Sequence, residues 1–199
     1  MRIEDLQEEV TSAEEALRKA HEARAPAEKR LAAFARLAEA QRALAAARGE
    51  EYAASLNLGF VPEAAVSEPV FFETERASLL SFSAVREAPA SLRGDAGYGL
   101  VEIVGCVATS FSSWDEEWQR DPLHSKGLSG YGAFEIVNSG WIRALREHGI
   151  SGSLGAGPMH RHFLFRFHDS TFQCIASDLR GTTIPRPFEN VLAEVRKRW

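Results

Sequence analysis

His160, His162 and His168 lie in the run HRHFLFRFHDSTFQCIAS, residues 160–177. Alternate residues of a strand point to the same side. His160 and His162 could therefore hold one divalent metal ion, or serve as acid–base groups that titrate near neutral pH. His168 stands six positions beyond His162, about 20 Å along an extended strand, too far to join the same ion. A His-x-His pair supplies only two ligands, so the remainder of a metal shell must come from His124, Glu102 or Asp178, brought in by the fold. No motif names a cofactor, and a divalent metal is the one the histidines leave room for. Arg166 and Gln173 share a side with His168, and the three together suit an anionic small molecule.

A second set of chemistry-bearing residues is Trp114 and Trp118, which bracket Asp115, Glu116 and Glu117. Tryptophans beside acids make a recognition surface, because large rings anchor interfaces. Other motifs fall away. GSLGAG at 152–157 leads into a strand and lacks the Gly-Lys-Ser/Thr ending of a phosphate loop. No serine sits in a Gly-x-Ser-x-Gly elbow. Cys106 and Cys174 both fall inside expected strands, on core faces, where a thiol is a poor nucleophile and no disulfide partner is evident.

The histidine run must be a β-hairpin, since it alternates with period two, breaks at Asp169-Ser170 and alternates again. Pairing Phe167 with Phe172 sets Phe165 opposite Cys174, Phe163 opposite Ala176, Leu164 opposite Ile175 and Arg166 opposite Gln173. One face is then Phe163, Phe165, Phe167, Phe172, Cys174 and Ala176. The other is the histidine face, a wet side of the sheet partly covered at Leu164 and Ile175.

Other strands are expected at Val70–Glu73, Ala77–Arg86, Leu100–Thr109 and Ala133–Val137. LVEIVGCVAT, residues 100–109, is apolar on both sides and reads as one central strand. Trp141, Ile142 and Leu145 mark a helix over 140–148. Phe188, Val191, Leu192 and Val195 mark a last helix behind Pro185 and Pro187. Phe111 to Gly132 is the longest irregular stretch and the best loop for binding. With no regular strand–helix alternation, the fold class is α+β: a mainly antiparallel sheet of five or six strands packed by two helices.

Residues 1–56 differ in kind from 57–199. Ile3, Leu6, Val10, Ala13, Leu17 and Ala20 step by three and four, a coiled-coil-like seam. Pro26 interrupts it, and proline is tolerated in a first helical turn but not in a helix interior. The arm is either a helical hairpin or one long kinked helix. Its alanine-rich second half makes a thin seam that should pack on a second copy or on the domain behind it, or else dock a protein partner through residues 3–48.

A formal charge of −5 disfavours nucleic acid, and no stretch reaches the ~20 apolar residues of a membrane helix. A soluble cytoplasmic binding or interaction protein fits these features best, with the arm for self-association or docking and the α+β domain for a protein or small ligand. The alternative is an enzyme, metal-dependent or of histidine acid–base type, using the His160/His162 face with His124.

Overall fold

A computed structural model of the chain describes residues 2–65, 67–87, 94–113, 126–128, 130–148 and 159–198. They form two compact units. One takes residues 2–55, 126–128 and 136–140, and the other the remainder.

In the first unit, α1 (Ile3–Glu22) and α2 (Ala27–Arg48) are separate helices, so the arm is a hairpin rather than a kinked helix. Arg24 turns the chain with φ +47°, and Pro26 immediately precedes α2, where its missing N–H costs nothing. The end of α2 is closed by Gly49 at φ +66°, with the Glu50 N–H donating to Ala45 O at 2.9 Å. Leu6, Val10 and Ala13 pack against Ala40 and Leu44, with Leu37 and Ala43 alongside. The seam weakens toward the hairpin tip, where Leu31 is 64% exposed. The short strand β1 (Tyr52–Ser55) follows. Residues 126–128 are tied down by Lys126–Glu50 at 2.6 Å, by Ala53 N–H donating to Lys126 O, and by Arg42 donating to Gly127 O.

The second unit holds β2 (Phe60–Pro62), β3 (Val70–Glu73), β4 (Ser78–Arg86), β5 (Asp95–Val104), β6 (Ala108–Ser113), most of β7 (Gly132–Val137), α3 (Gly140–Glu147) from Trp141 onward, β8 (Arg161–Arg166), β9 (Ser170–Ala176), β10 (Asp178–Ile184) and α4 (Phe188–Arg196). The α+β class is as the sequence implies, but the strands form two sheets rather than one. One runs β7-β8-β9-β6, and the other runs β10-β5-β4-β2 with β3 also on β4.

The reason lies in the 100–109 run, which is not a single strand. Gly105 adopts φ +59°, a left-handed conformation that favours glycine, and breaks the run into β5 and β6, which belong to different sheets. The chain makes the matching change at Ser177, between β9 and β10. Cys106 consequently sits in the connection and not in a strand. The stretch read as irregular from Phe111 likewise begins inside β6. β2 and β10 carry turn-like residues (Pro62, Gly181) and gave no strand signal.

Between the sheets lies the main core. Phe60, Leu80, Phe82, Ala84, Val101 and Ile103 meet Phe163, Phe165, Phe167, Phe172, Cys174 and Ala176. The Phe82 ring stands 6.0 Å from Phe165 and 5.3 Å from Phe167. Each fully buried Phe contributes about 1.5–3 kcal/mol. The predicted apolar face of the hairpin is therefore the core face.

The register is not the predicted one. Phe165 pairs with Phe172, Phe163 with Cys174, Leu164 with Gln173 and Arg166 with Thr171. The turn is His168-Asp169, closed by Phe167 N–H donating to Ser170 O at 2.9 Å. The difference is two residues, which leaves every side chain on its expected face. Alternation specifies the face, whereas turn geometry selects the partner. On the far side of the second sheet, Val191 and Val195 of α4 cover Leu79, Leu100 and Tyr98.

Candidate functional site

The histidine face of β8 and β9 is the outer side of the β7-β8-β9-β6 sheet. It is not a wet surface: His162, Leu164, Thr171 and Ile175 are all buried. α3 contributes the cover, since the Trp141 indole stands edge-on to the His162 ring at 5.2 Å.

Within that cover His162 Nε2 lies 2.9 Å from Gln173 Oε1. The tautomer with hydrogen on Nε2 donates to the amide carbonyl, leaving the Gln173 NH2 as a donor. One strand pair further on, the Ser112 and Thr171 hydroxyls meet at 3.0 Å. Arg166, opposite Thr171, is half-buried. Burial pulls its guanidinium below the ordinary arginine value, while the nearby Tyr131 phenol acts in the opposite sense. Arginine stays charged at neutral pH even so. His162 with Gln173 and Ser112 with Thr171 thus bond within the face, and the Arg166 guanidinium stands at its half-buried margin.

The remaining predicted residues are dispersed. His160 precedes β8 and is half-exposed. His168 lies at the exposed turn, its Nδ1 2.5 Å from Asp169 Oδ1 and its ring 5.9 Å from Tyr131. A cavity of about 330 Å3 adjoins that turn, lined by Ser67, Glu68, Pro69, Phe167, His168 and Asp169. Glu102 and Asp178 belong to the other sheet, where Glu102 accepts from Arg198 at 3.3 Å and Asp178 lies 4.0 Å from Arg161. Neither joins His162. Trp114, Trp118 and His124 lie outside the described residues. Among the described residues no three His, Cys, Asp or Glu side chains converge to hold a metal.

Two features escaped the sequence. Trp141 reads there as a core stripe of α3, and only the packing places it on His162. The second is a cavity of about 490 Å3 lined by Gly59, Arg86, Asp95, Gly97, Thr183 and Arg186. There Arg186 bridges Asp95 at 3.2 Å and Glu63 at 3.5 Å and lies over the Tyr98 ring at 5.1 Å. Its one sequence signal is the proline pair around Arg186, which marks a rigid turn.

The fold and the site thus define an α+β protein with two helices preceding its sheets. Comparison with known protein families, with curated proteins and with solved structures finds no significant match.

Proposed function

We propose that this chain is a soluble cytoplasmic binding protein. Its helical hairpin serves self-association or docking, and its α+β domain takes a protein or small-molecule ligand. The observation that carries the reading is the tip of the arm. His21, Ala27, Arg30, Leu31 and Phe34 line an apolar cavity of about 310 Å3 there, and Leu31 stands 64% exposed. A large aliphatic side chain held out beside an apolar hollow has the makings of an interface anchor.

The placement of His162 favours binding over catalysis, because its Nε2 is engaged by Gln173 and its ring lies against Trp141. No helix among the described residues is long and apolar enough to cross a membrane. Cys106 and Cys174 are free thiols, as suits a reducing compartment.

Leu31→Asp tests the arm. Native mass spectrometry and sedimentation of the unaltered chain are expected to give a dimer or a retained partner, and Leu31→Asp a monomer with unchanged helix content. A chain that is monomeric and partner-free in both forms would refute the reading.

A further inference from the structure

The cavity of about 490 Å3 lies where three strands of one sheet reach the same end. Arg86 closes β4, Asp95 opens β5, and Thr183 stands near the end of β10, with Arg186 three residues on. Antiparallel pairing gathers them, since Val85 lies opposite Asp95 and Thr183 opposite Gly99. The two arginines of the lining differ in state. Arg186 is fixed from three sides, by Asp95, by Glu63 and by the Tyr98 ring beneath it. Asp95 is engaged as well: Oδ1 accepts from the Gly97 N–H at 2.8 Å, and Oδ2 from Arg186 Nε. Arg86 is different. Its backbone is pinned by pairing with Phe60 and by its N–H donating to Gly94 O at 3.0 Å. Among the described residues, however, its guanidinium has neither an ion pair nor a hydrogen bond, and the Thr183 hydroxyl has no partner either.

We propose that this cavity binds a small organic anion, a carboxylate or a phosphate ester, through the Arg86 guanidinium and the Thr183 hydroxyl, with Arg186 as a fixed wall. A guanidinium offers two parallel N–H donors that match either oxyanion. It has five N–H groups in all, so Arg186 keeps donors for the ligand beyond those turned to its two carboxylates. Two guanidinium charges against one carboxylate leave the lining positive. That carboxylate already accepts at both oxygens, which disfavours a cation. The volume falls within the ~300–1,000 Å3 of small-molecule sites, so the body of a polyhydroxylated anion fits along with its charged end. This refines the small-molecule half of the function proposed above and rests on that reading. Its failure leaves the arm, tested by Leu31→Asp, untouched.

The test titrates the 15N-labelled full chain at constant ionic strength with gluconate, glucose 6-phosphate and glucose. These three polyols differ chiefly in the anionic group. At least one of the two anions should shift the amide resonances of Gly59, Gly97 and Thr183 saturably, while glucose does not. A response to both anions supports recognition of the shared charge, and a response to one alone names the source. Arg86 is exposed, so Arg86→Gln should keep the Tm and weaken binding at least tenfold. Thr183→Val, a near-isosteric change, should weaken it less. Arg180→Gln, an exposed arginine of β10 outside the cavity, should leave it unchanged. No saturable shift with either anion, an equal response to glucose, or an unaltered Kd in Arg86→Gln overturns the proposal. So does an equal loss in Arg180→Gln.

Discussion

Gly105 and Ser177 meet at the corner where the chain twice passes from one sheet to the other. Ser177 Oγ donates to Val104 O at 2.8 Å, and Ser177 N–H donates to the same oxygen at 2.9 Å. A Cβ on Gly105 would stand 2.7 Å from Ser177 Oγ. Sandwich corners of this kind let one strand pair serve two sheets.

The corner should be sensitive to a single methyl group. Gly105→Ala combines a left-handed φ with a steric conflict and should cost about 1–3 kcal/mol. Ser177→Ala should lose about 1 kcal/mol with its hydrogen bond. Removing the hydroxyl also removes the closest atom to the new Cβ. The double variant should therefore be more stable than the sum of the two single changes implies. Urea denaturation of the four proteins checks this, and strict additivity would show that the hydroxyl is not what Gly105 avoids.

Gln173→Ala should destabilise by about 1–3 kcal/mol, because it strands a buried imidazole nitrogen. Trp141→Ala should loosen the same histidine from the helix side. If His162 is held by both, its ring proton resonances should broaden or shift in each variant. An unperturbed His162 spectrum in Gln173→Ala would mean that the amide does not hold it.

Ser81 is buried in the middle of β4, and among the described residues its hydroxyl has no hydrogen-bond partner. Its neighbours across the strands are Val70 and Leu100. Ser81→Ala should be neutral or stabilising by up to about 1 kcal/mol, since an unsatisfied buried hydroxyl carries a desolvation cost. A loss above that range in thermal unfolding would reveal an interaction of the hydroxyl beyond its own side-chain packing.

Asp95 should govern part of the acid limb of the stability curve. The Gly97 N–H and then the Arg186 guanidinium hold its carboxyl below the usual aspartate value. A depressed folded pKa gives stability that is fully present above the unfolded value, about 4, and is lost as pH falls through the folded value. Asp95→Asn should be less stable at neutral pH and lose less stability below pH ~4. Parallel acid titrations of the two proteins would contradict this.

Thiol chemistry should separate the cysteines. Burial pushes both thiols up, Cys174 far above the ordinary range and Cys106 less so. Since the thiolate is the reactive form, alkylation at pH 7 should be slow at Cys106 and negligible at Cys174 until the protein unfolds. Fast labelling of both in the native state would be inconsistent with that burial.

Periodicity was enough to read many of the local elements, though not β2 or β10. The hairpin faces from Phe163 to Ala176, the helical stepping from Ile3 to Ala20 with its break at Pro26, and the valines of α4 all announce themselves, because apolar spacing and chain-breaking residues act over a few positions. The α+β class follows from their order. Partners distant in the chain are another matter. Whether residues 100–109 make one strand or two depended on Gly105 meeting Ser177, 72 residues later, and a glycine alone does not say which way the chain turns. The two-residue offset in the hairpin went unseen because either register satisfies the same alternation, and the turn geometry decided it. His162 looked like a surface ligand because its polar face was visible in the sequence while its cover was not. Trp141 and Gln173 give that histidine its role, and only tertiary packing brings them to it.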